Sequence, residues 1–224
     1  MMIAGLHGEV RTATPGIVKC LNDSEVLVRI AAIKGLSNLS AARMCTRLSP
    51  LTCSTMIIAE LHEEIRMAIL GMEQSLEDSD VSVRKAAVKG LSTLAAHCMC
   101  YHLSRLAFLT RIVAKLDEEI QKATSSLRQC LKDSDESVRV AAVQGFSSFT
   151  AHRMCHRLSP LAYSTMIIAE LHGVIRSAIP RIVEFLKHWY FPLREAAVKG
   201  LSILVAHRTS NDLTVCPHQP PLSL

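Results

Sequence analysis

The sequence predicts an all-α fold, a right-handed α-solenoid made of stacked helical hairpins. A nine-residue segment recurs every 55 residues along the chain, and such a period is typical of helical repeat arrays. Apolar residues in each copy follow the spacing of one helix face. Neither helix of a copy can bury that face alone, so we expect neighbouring hairpins to stack in one line. A compact bundle of eight helices is the alternative, but the strict period favours the stack.

The repeated segment sets the unit boundaries. It begins at Arg29, Arg84, Arg139 and Arg194, and each copy holds a glycine six residues later. We expect units at about residues 1–53, 54–108, 109–163 and 164–207, followed by a disordered, proline-containing tail at 208–224. The chain starts inside a first helix and lacks polar capping units. We therefore expect either a piece of a longer array or self-association through the open ends.

Composition excludes several classes of protein. The 224 residues are 49% hydrophobic and 20% charged, which excludes a disordered, self-repelling chain. No apolar run approaches the ~18 residues of a membrane span, and the N-terminus lacks a secretory pattern. The net charge of +5 is spread without a basic run, so no nucleic-acid partner is expected. The eight cysteines are expected to be reduced thiols of a cytoplasmic protein, with the nucleus as the alternative compartment.

The second copy illustrates how each hairpin is built. From Met56 to Leu76, apolar residues recur at helical spacing and predict the first helix. Asp78-Ser79-Asp80 follows as a polar turn with good N-cap residues. The second helix is predicted from Val81 to His97. A linker then leads to the next unit, such as residues 43–54 with a break at Ser49-Pro50. A short third helix within the linker is the alternative.

Two copies carry a proline inside the first helix. Pro15 and Pro180 stand at one repeat position, where the other copies have Leu70 and Ser125. Proline in a helix interior removes a backbone donor and favours a kink. We therefore expect the first helices of copies one and four to consist of two segments hinged at the proline.

The turn and second helix resemble the HEAT repeat. Copies one to three share a turn aspartate followed by a valine-arginine pair: Asp23…Val28-Arg29, Asp78…Val83-Arg84 and Asp133…Val138-Arg139. Copy one also has Pro15, eight residues before its aspartate. Copy four keeps Pro180 and Arg194 but has His188 in place of the aspartate. The resemblance covers about residues 10–207. HEAT units are usually shorter than this one, so an armadillo-like three-helix unit is the alternative.

In HEAT proteins, the turn aspartate and the arginine form a ladder of hydrogen bonds between neighbouring units. The resemblance therefore implies a structural role for the six equivalent residues, which are Asp23, Arg29, Asp78, Arg84, Asp133 and Arg139. Such a role is physically plausible because a carboxylate near a helix start makes charge-assisted hydrogen bonds with a guanidinium.

We predict no catalytic, cofactor-binding or metal-binding residues. The segment His97-Cys98-Met99-Cys100-Tyr101-His102 is the densest group of metal-type side chains, but Cys-x-Cys is a poor spacing for zinc. His62-Glu63-Glu64 resembles one of the His-Glu pairs by which the deoxyhypusine hydroxylases, HEAT-type enzymes, hold two irons. The equivalent dipeptides in the other copies do not complete such a site: His7-Gly8, Asp117-Glu118 and His172-Gly173. A metalloenzyme is therefore an alternative with incomplete support.

One position of the second helix forms a candidate binding row. It is lysine in three copies, Lys34, Lys89 and Lys199, and Gln144 in the other. Lys85 lies one turn earlier on the same stripe. The second helix of a solenoid lines the concave side, so the row can contact an acidic protein segment. A solvated polar stripe without a partner is the alternative.

The fourth copy departs from the polar turn and has aromatic residues there instead. Its turn reads Lys187-His188-Trp189-Tyr190-Phe191-Pro192 and holds the chain's one tryptophan. Two interpretations compete. The aromatic residues either cap the open end of the stack, or Trp189, Tyr190 and Phe191 form a protein-binding hot spot.

Together these features predict a non-catalytic scaffold or adaptor that binds a protein or peptide on its concave surface. No cofactor is expected, and the sequence does not identify the partner. A cytoskeleton-binding array is a further alternative, by analogy with HEAT arrays that bind tubulin through their turns. That analogy is weak here because only the fourth turn has a tryptophan, Trp189.

Overall fold

The computed structural model describes residues 13–46, 55–105, 110–154 and 165–212. Every regular element within these ranges is helical. The α-helices are α1 (residues 13–19), α2 (Val26–Thr46), α3 (Thr55–Gln74), α4 (Val81–Arg105), α5 (Thr110–Cys130), α6 (Glu136–Met154), α7 (Thr165–Phe185) and α8 (Phe191–Asp212). Short 3-10 helices, Cys20–Asn22 and Ser75–Glu77, end the first helices of the first two hairpins.

Consecutive helices form hairpins, and the hairpins stack in chain order. The second helices α2, α4, α6 and α8 each pack against the next one in the series. The first helices α3, α5 and α7 do the same, but their mutual contacts are less extensive. This arrangement in two layers confirms the predicted α-solenoid.

Repeat positions on the second helices build a continuous core. Ile33, Val88 and Val143 share one position, and all three are completely buried. One turn later the core contains Leu36, Leu91 and Phe146. Burial of one large apolar side chain contributes about 1.5–3 kcal/mol to stability. Each junction between hairpins buries such side chains, so stacking supplies the stability that a single hairpin lacks.

The second helices are longer than predicted. The α4 helix ends at Arg105, beyond the predicted end at His97, and α8 continues to Asp212, beyond 207. Neither proline nor glycine occurs between 97 and 105, so the backbone can continue its helical hydrogen bonding. Only four residues separate α4 from α5, and no third helix appears in the described part of any unit. Ser49-Pro50 and the remainder of the predicted tail lie outside the described residues.

The predicted division of the first helix at proline is wrong for α7, which is one helix with Pro180 inside. Pro15 lies in the described part of the first helix, residues 13–19, and residues 1–12 lie outside the described ranges, so a hinge in copy one stays a prediction. Pro180 deprives the Arg176 carbonyl of its intrahelical donor, but both residues are exposed and that carbonyl can be hydrated. Buried Ala178 and Ile182 hold the helix against its neighbours on either side of the proline.

Glycine allows the second helices to approach one another closely. A Cβ atom on Gly90 would lie 3.0 Å from Ile33 Cγ2, and one on Gly200 would lie 2.9 Å from Val143 Cγ1. At Gly145 it would overlap the Ser92 hydroxyl. Each of these contacts reaches the preceding unit. The glycine position is therefore a requirement of stacking, and this requirement outweighs the poor helix propensity of glycine.

Gly145→Ala tests the close approach between α4 and α6. We expect it to lower the free energy of unfolding by about 1–3 kcal/mol, because the methyl group displaces Ser92 or a helix. Gly173→Ala is the matched control, since within the described residues no atom outside its own helix backbone lies within 4 Å of its Cβ position. The control should be neutral or gain up to about 1 kcal/mol from helix propensity. Urea unfolding followed by circular dichroism measures both, and equal effects would contradict a close contact at Gly145.

Candidate partner-binding surface

An arginine on each second helix holds the turn of its own hairpin. Arg29 Nη1 donates to the carbonyl oxygens of Asp23 at 2.8 Å and Ser24 at 3.0 Å. The later copies repeat this pair of bonds through Arg84, Arg139 and Arg194. The arginine lies in the first turn of its helix and reaches back over the loop. It thereby satisfies two carbonyl groups that the turn leaves without helical partners.

The same arginine also binds the following unit. Arg29 Nε lies 2.8 Å from Asp78 Oδ2, and its Nη2 donates to Oδ1 at 3.1 Å. Arg84 forms the corresponding fork with two hydrogen bonds to Asp133, at 3.0 and 3.1 Å, whereas the Arg29 Nε contact with Asp78 is an ion pair without hydrogen-bond geometry. All four side chains are 13% exposed. Hydrogen bonding to Asp133 raises the pKa of the Arg84 guanidinium above its ordinary value.

The carboxylate bonds thus cross the junction between units. The arginine and the aspartate of each pair are 49 residues apart in sequence. Within one unit, the arginine binds the main-chain carbonyl of the turn aspartate and not its carboxylate. Charge-assisted, two-pronged bonds are stronger and more directional than neutral ones. They therefore help to set the position of the second hairpin on the first and of the third hairpin on the second.

Further carboxylates stabilise the starts of the second helices. Asp80 Oδ1 accepts the backbone N–H groups of Ser82 at 2.7 Å and Val83 at 3.3 Å. The Ser82 bond is the main cause of the lowered pKa of Asp80. Asp135 has a lowered pKa chiefly because it accepts the Ser137 hydroxyl. This stabilisation is complete above the ordinary carboxyl pKa and is lost as pH falls through the lowered value.

The junction between the third and fourth units has no such fork. His188 occupies the aspartate position, with Nδ1 3.2 Å from Tyr190 N and Nε2 3.5 Å from Arg139 Nη2. A neutral imidazole has one unprotonated nitrogen, so it can accept only one of these two bonds. Arg139 instead pairs with Glu136 of its own helix at 3.2 Å.

The candidate lysine row divides into paired and unpaired members. Lys34 and Lys89 are exposed on the neighbouring helices α2 and α4, and neither has an acidic partner within the described residues. Lys199 pairs with Glu195 one turn earlier, at 2.5 Å. Lys85 is half-buried. Within this row, the unpaired positive charge therefore lies on the first two units.

A row of uncharged polar side chains lies one turn beyond the lysine row, and the sequence reasoning missed it. This polar row consists of the exposed side chains of Asn38, Thr93 and Ser148. The available signal was their shared repeat position, four residues after Lys34, Lys89 and Gln144. Thr93 donates to the Lys89 carbonyl at 2.9 Å, which leaves its oxygen able to accept a bond from a ligand. The amide of Asn38 can both donate and accept.

The three aromatic residues of the fourth turn have different environments. Trp189 is 76% exposed and Phe191 is 63% exposed, whereas Tyr190 is half-buried and packs against the core. Trp189 stacks on His188 with ring centroids 5.8 Å apart, and the Arg194 guanidinium lies 5.7 Å from the Phe191 ring centre. Tyr190 thus anchors the turn, while Trp189 and Phe191 remain accessible to a partner.

The described side chains contain no group of three or more metal-type ligands. Glu63, from the predicted iron-type pair, binds Arg66 at 2.6 Å. The side chains of His62 and of the segment 97–102 lie outside the described residues. Cys20 and Cys130 are free thiols. Burial is the main cause that raises the pKa of Cys130 to about 12, so this thiol stays protonated at neutral pH and is a poor metal ligand.

The family model for the HEAT repeat matches residues 13–42 and 63–98. These two segments of the chain are HEAT repeats. The matches cover the turn, arginine and glycine of the first two hairpins, where the first inter-unit fork is formed. A search of curated proteins gave no match. In the described ranges, the HEAT array contains no helix apolar enough over a sufficient length to cross a bilayer.

Asp133→Asn tests the contribution of the fork to stability. We expect a loss of about 1–3 kcal/mol in the free energy of unfolding, because the guanidinium of Arg84 loses its charged acceptor. Asp23→Asn is the matched control. Both aspartates accept the N–H two residues ahead at 2.8 Å, but Asp23 has no guanidinium on its carboxylate within the described residues. At a protein concentration low enough for the chain to be monomeric, the control should change stability by less than about 0.5 kcal/mol, and equal losses would show that the fork contributes nothing.

His188→Asp should install the missing fork at the last junction. The new carboxylate can accept both the Tyr190 N–H and the Arg139 guanidinium, so we expect a gain of about 1 kcal/mol or more. His188→Asn supplies the same turn acceptor without the charge and isolates the ion-pair contribution. Thermal and urea unfolding compare the two variants. An aspartate variant no more stable than the asparagine variant would contradict this account of the junction.

Proposed function

We propose that this HEAT array is a non-catalytic protein-binding scaffold that holds an acidic segment against the second helices of its first two units. The observation that carries the proposal is the pair of exposed lysines, Lys34 and Lys89, on adjacent helices without acidic partners in the described residues. HEAT repeats are commonly protein-interaction scaffolds, which supports the same function.

The packing of the two layers favours the second-helix face as the binding surface. Second helices contact one another more extensively than first helices do, and glycine permits their close approach. A stack that is tighter in one layer bends toward that layer, so we infer that α2 and α4 line the concave side. A concave surface can contact an extended peptide with several units at once.

The polar row gives this surface a second kind of contact. Asn38 and Thr93 lie one helical turn from Lys34 and Lys89, respectively. Carboxylates of an acidic segment can accept bonds from the lysines. The Asn38 amide can bind the peptide groups of the segment through either its N–H or its carbonyl, and the Thr93 oxygen can accept a peptide N–H. Electrostatic attraction also raises the rate at which an acidic partner associates.

The fourth turn is a second candidate surface for the same scaffold. The outward position of Trp189 and Phe191 favours docking over capping, because a capping side chain would be covered. Exposed tryptophan beside a second aromatic residue is typical of interface hot spots. The free thiols of Cys20 and Cys130 support a cytoplasmic location as part of this proposal.

Charge reversal tests the lysine surface. The bait Lys34→Glu/Lys89→Glu is compared with Lys19→Glu/Lys132→Glu, which makes the same charge change at two exposed lysines outside both candidate surfaces. Each bait is checked by circular dichroism, and captured proteins are identified by mass spectrometry after cross-linking. We expect partners with acidic segments to be lost with the first bait and retained with the second. Binding of a purified partner should weaken about tenfold or more.

The outcomes separate the two surfaces. Equal loss with both lysine baits would indicate an unspecific charge effect and would overturn the proposed site. Partners that survive both baits but disappear with Trp189→Ala/Phe191→Ala would move the site to the fourth turn.

A further inference from the structure

Some positions that are buried inside the array are exposed at its two ends. Val198 is 57% exposed, whereas Ile33, Val88 and Val143 at the same repeat position are completely buried. At the other end, Val28 is 36% exposed, whereas Val83, Val138 and Leu193 are completely buried. These differences arise because each internal position is covered by a neighbouring unit and the end positions are not covered by any described residue.

Each internal junction joins a forward face to a receiving face. At the first junction the forward face supplies Arg29, Ile33 and Ser37. Arg29 binds Asp78, Ile33 lies against Gly90, and the Ser37 hydroxyl is 3.5 Å from the Gly90 carbonyl. The receiving face of the second unit therefore consists of the Asp78 carboxylate and the space left by the missing side chain of Gly90, together with the buried side chain of Val83.

The last unit presents an unused forward face. Arg194 uses Nη1 on its own turn, and its Nε and Nη2 have no hydrogen-bond partner in the described residues. Val198 and Ser202, the equivalents of Ile33 and Ser37, are both exposed. Leu186 adds apolar surface, being 37% exposed where its equivalent Leu131 is buried.

The first unit presents an unused receiving face. Within the described residues, the Asp23 carboxylate accepts the Glu25 N–H and no guanidinium. Gly35 is only half-buried, and no described atom of another unit lies within 4 Å of its Cβ position. Val28 completes the face. Together, the Asp23 carboxylate, the open space at Gly35 and the Val28 side chain form the surface that Arg194, Val198 and Ser202 would need to bind.

We propose that the last unit of one copy docks on the first unit of a second copy, with Arg194 paired to Asp23 across the new junction. The opposite charges at the two ends favour a second copy as the occupant, because an apolar ligand would leave both charges unpaired. The two faces are different, so the contact is heterologous and can repeat into open chains of arrays. This self-assembly uses neither Lys34 nor Lys89, and it goes beyond the scaffold function proposed above.

Sedimentation velocity on the full chain tests the proposal. The mean mass of the wild-type protein should rise with concentration beyond that of a dimer. Val28→Glu blocks the receiving face and Val198→Glu blocks the forward face, so each variant alone should remain monomeric. An equimolar mixture retains one usable face of each kind and should form a dimer that grows no further.

Leu27→Glu is the matched control for the receiving face. Leu27 is exposed beside Val28, but its repeat equivalents Ser82 and Ser137 are not buried within the stack. This variant should assemble like the wild type. Asp23→Asn preserves the turn acceptor and should weaken assembly by about tenfold or more through loss of the ion pair. Circular dichroism verifies that every variant is folded.

Three outcomes would overturn the proposal. One is a wild-type protein that stays monomeric at every concentration, including the case in which other residues of the chain cover the two end faces. Another is assembly by Val28→Glu or Val198→Glu alone, which would indicate a symmetric contact or a different surface. The third is a variant mixture that remains monomeric. The lysine baits report independently on the scaffold function, so failure of one proposal is distinguishable from failure of the other.

Discussion

The contact between one second helix and the next is the constraint that organises this array. It combines an apolar surface, a glycine that permits close approach and an arginine that binds two units at once. The apolar surface supplies most of the stability but has little directionality. The arginine fork supplies direction, because its donors reach a carboxylate in one orientation only. Together they make the junction both stable and regular.

The same constraint explains where the array departs from its repeat. At the fourth turn, neutral His188 cannot accept hydrogen bonds from both Tyr190 N–H and Arg139. Arg139 forms an ion pair with Glu136 instead. The last hairpin is therefore held by apolar packing, including that of Tyr190, and by the Arg128–Ser177 hydrogen bond. Loss of the carboxylate also coincides with the outward Trp189 and Phe191. The unit that is least constrained by the ladder therefore carries the most accessible aromatic surface.

Stacking separates the surfaces that hold the array together from those that are free to bind. Ile33 and Gly90 are buried at the junctions between units, whereas Lys34 and Lys89 are exposed to solvent. A repeat therefore presents binding residues in rows whose spacing is set by the core. At the two ends the junction surfaces themselves are exposed, which links the physics of stacking to assembly between copies.

The α-solenoid and the helical hairpin unit could be predicted from the sequence. This was possible because a strict 55-residue step repeats every local requirement for helix, turn and apolar face. The pairing of Arg29 with Asp78 could not be derived from local pattern, since it depends on how hairpins stack. Packing likewise kept α7 continuous through Pro180, because buried neighbours hold the helix on both sides. Which lysines lack partners, and which aromatic residue is buried, depend on three-dimensional neighbours that local sequence does not specify.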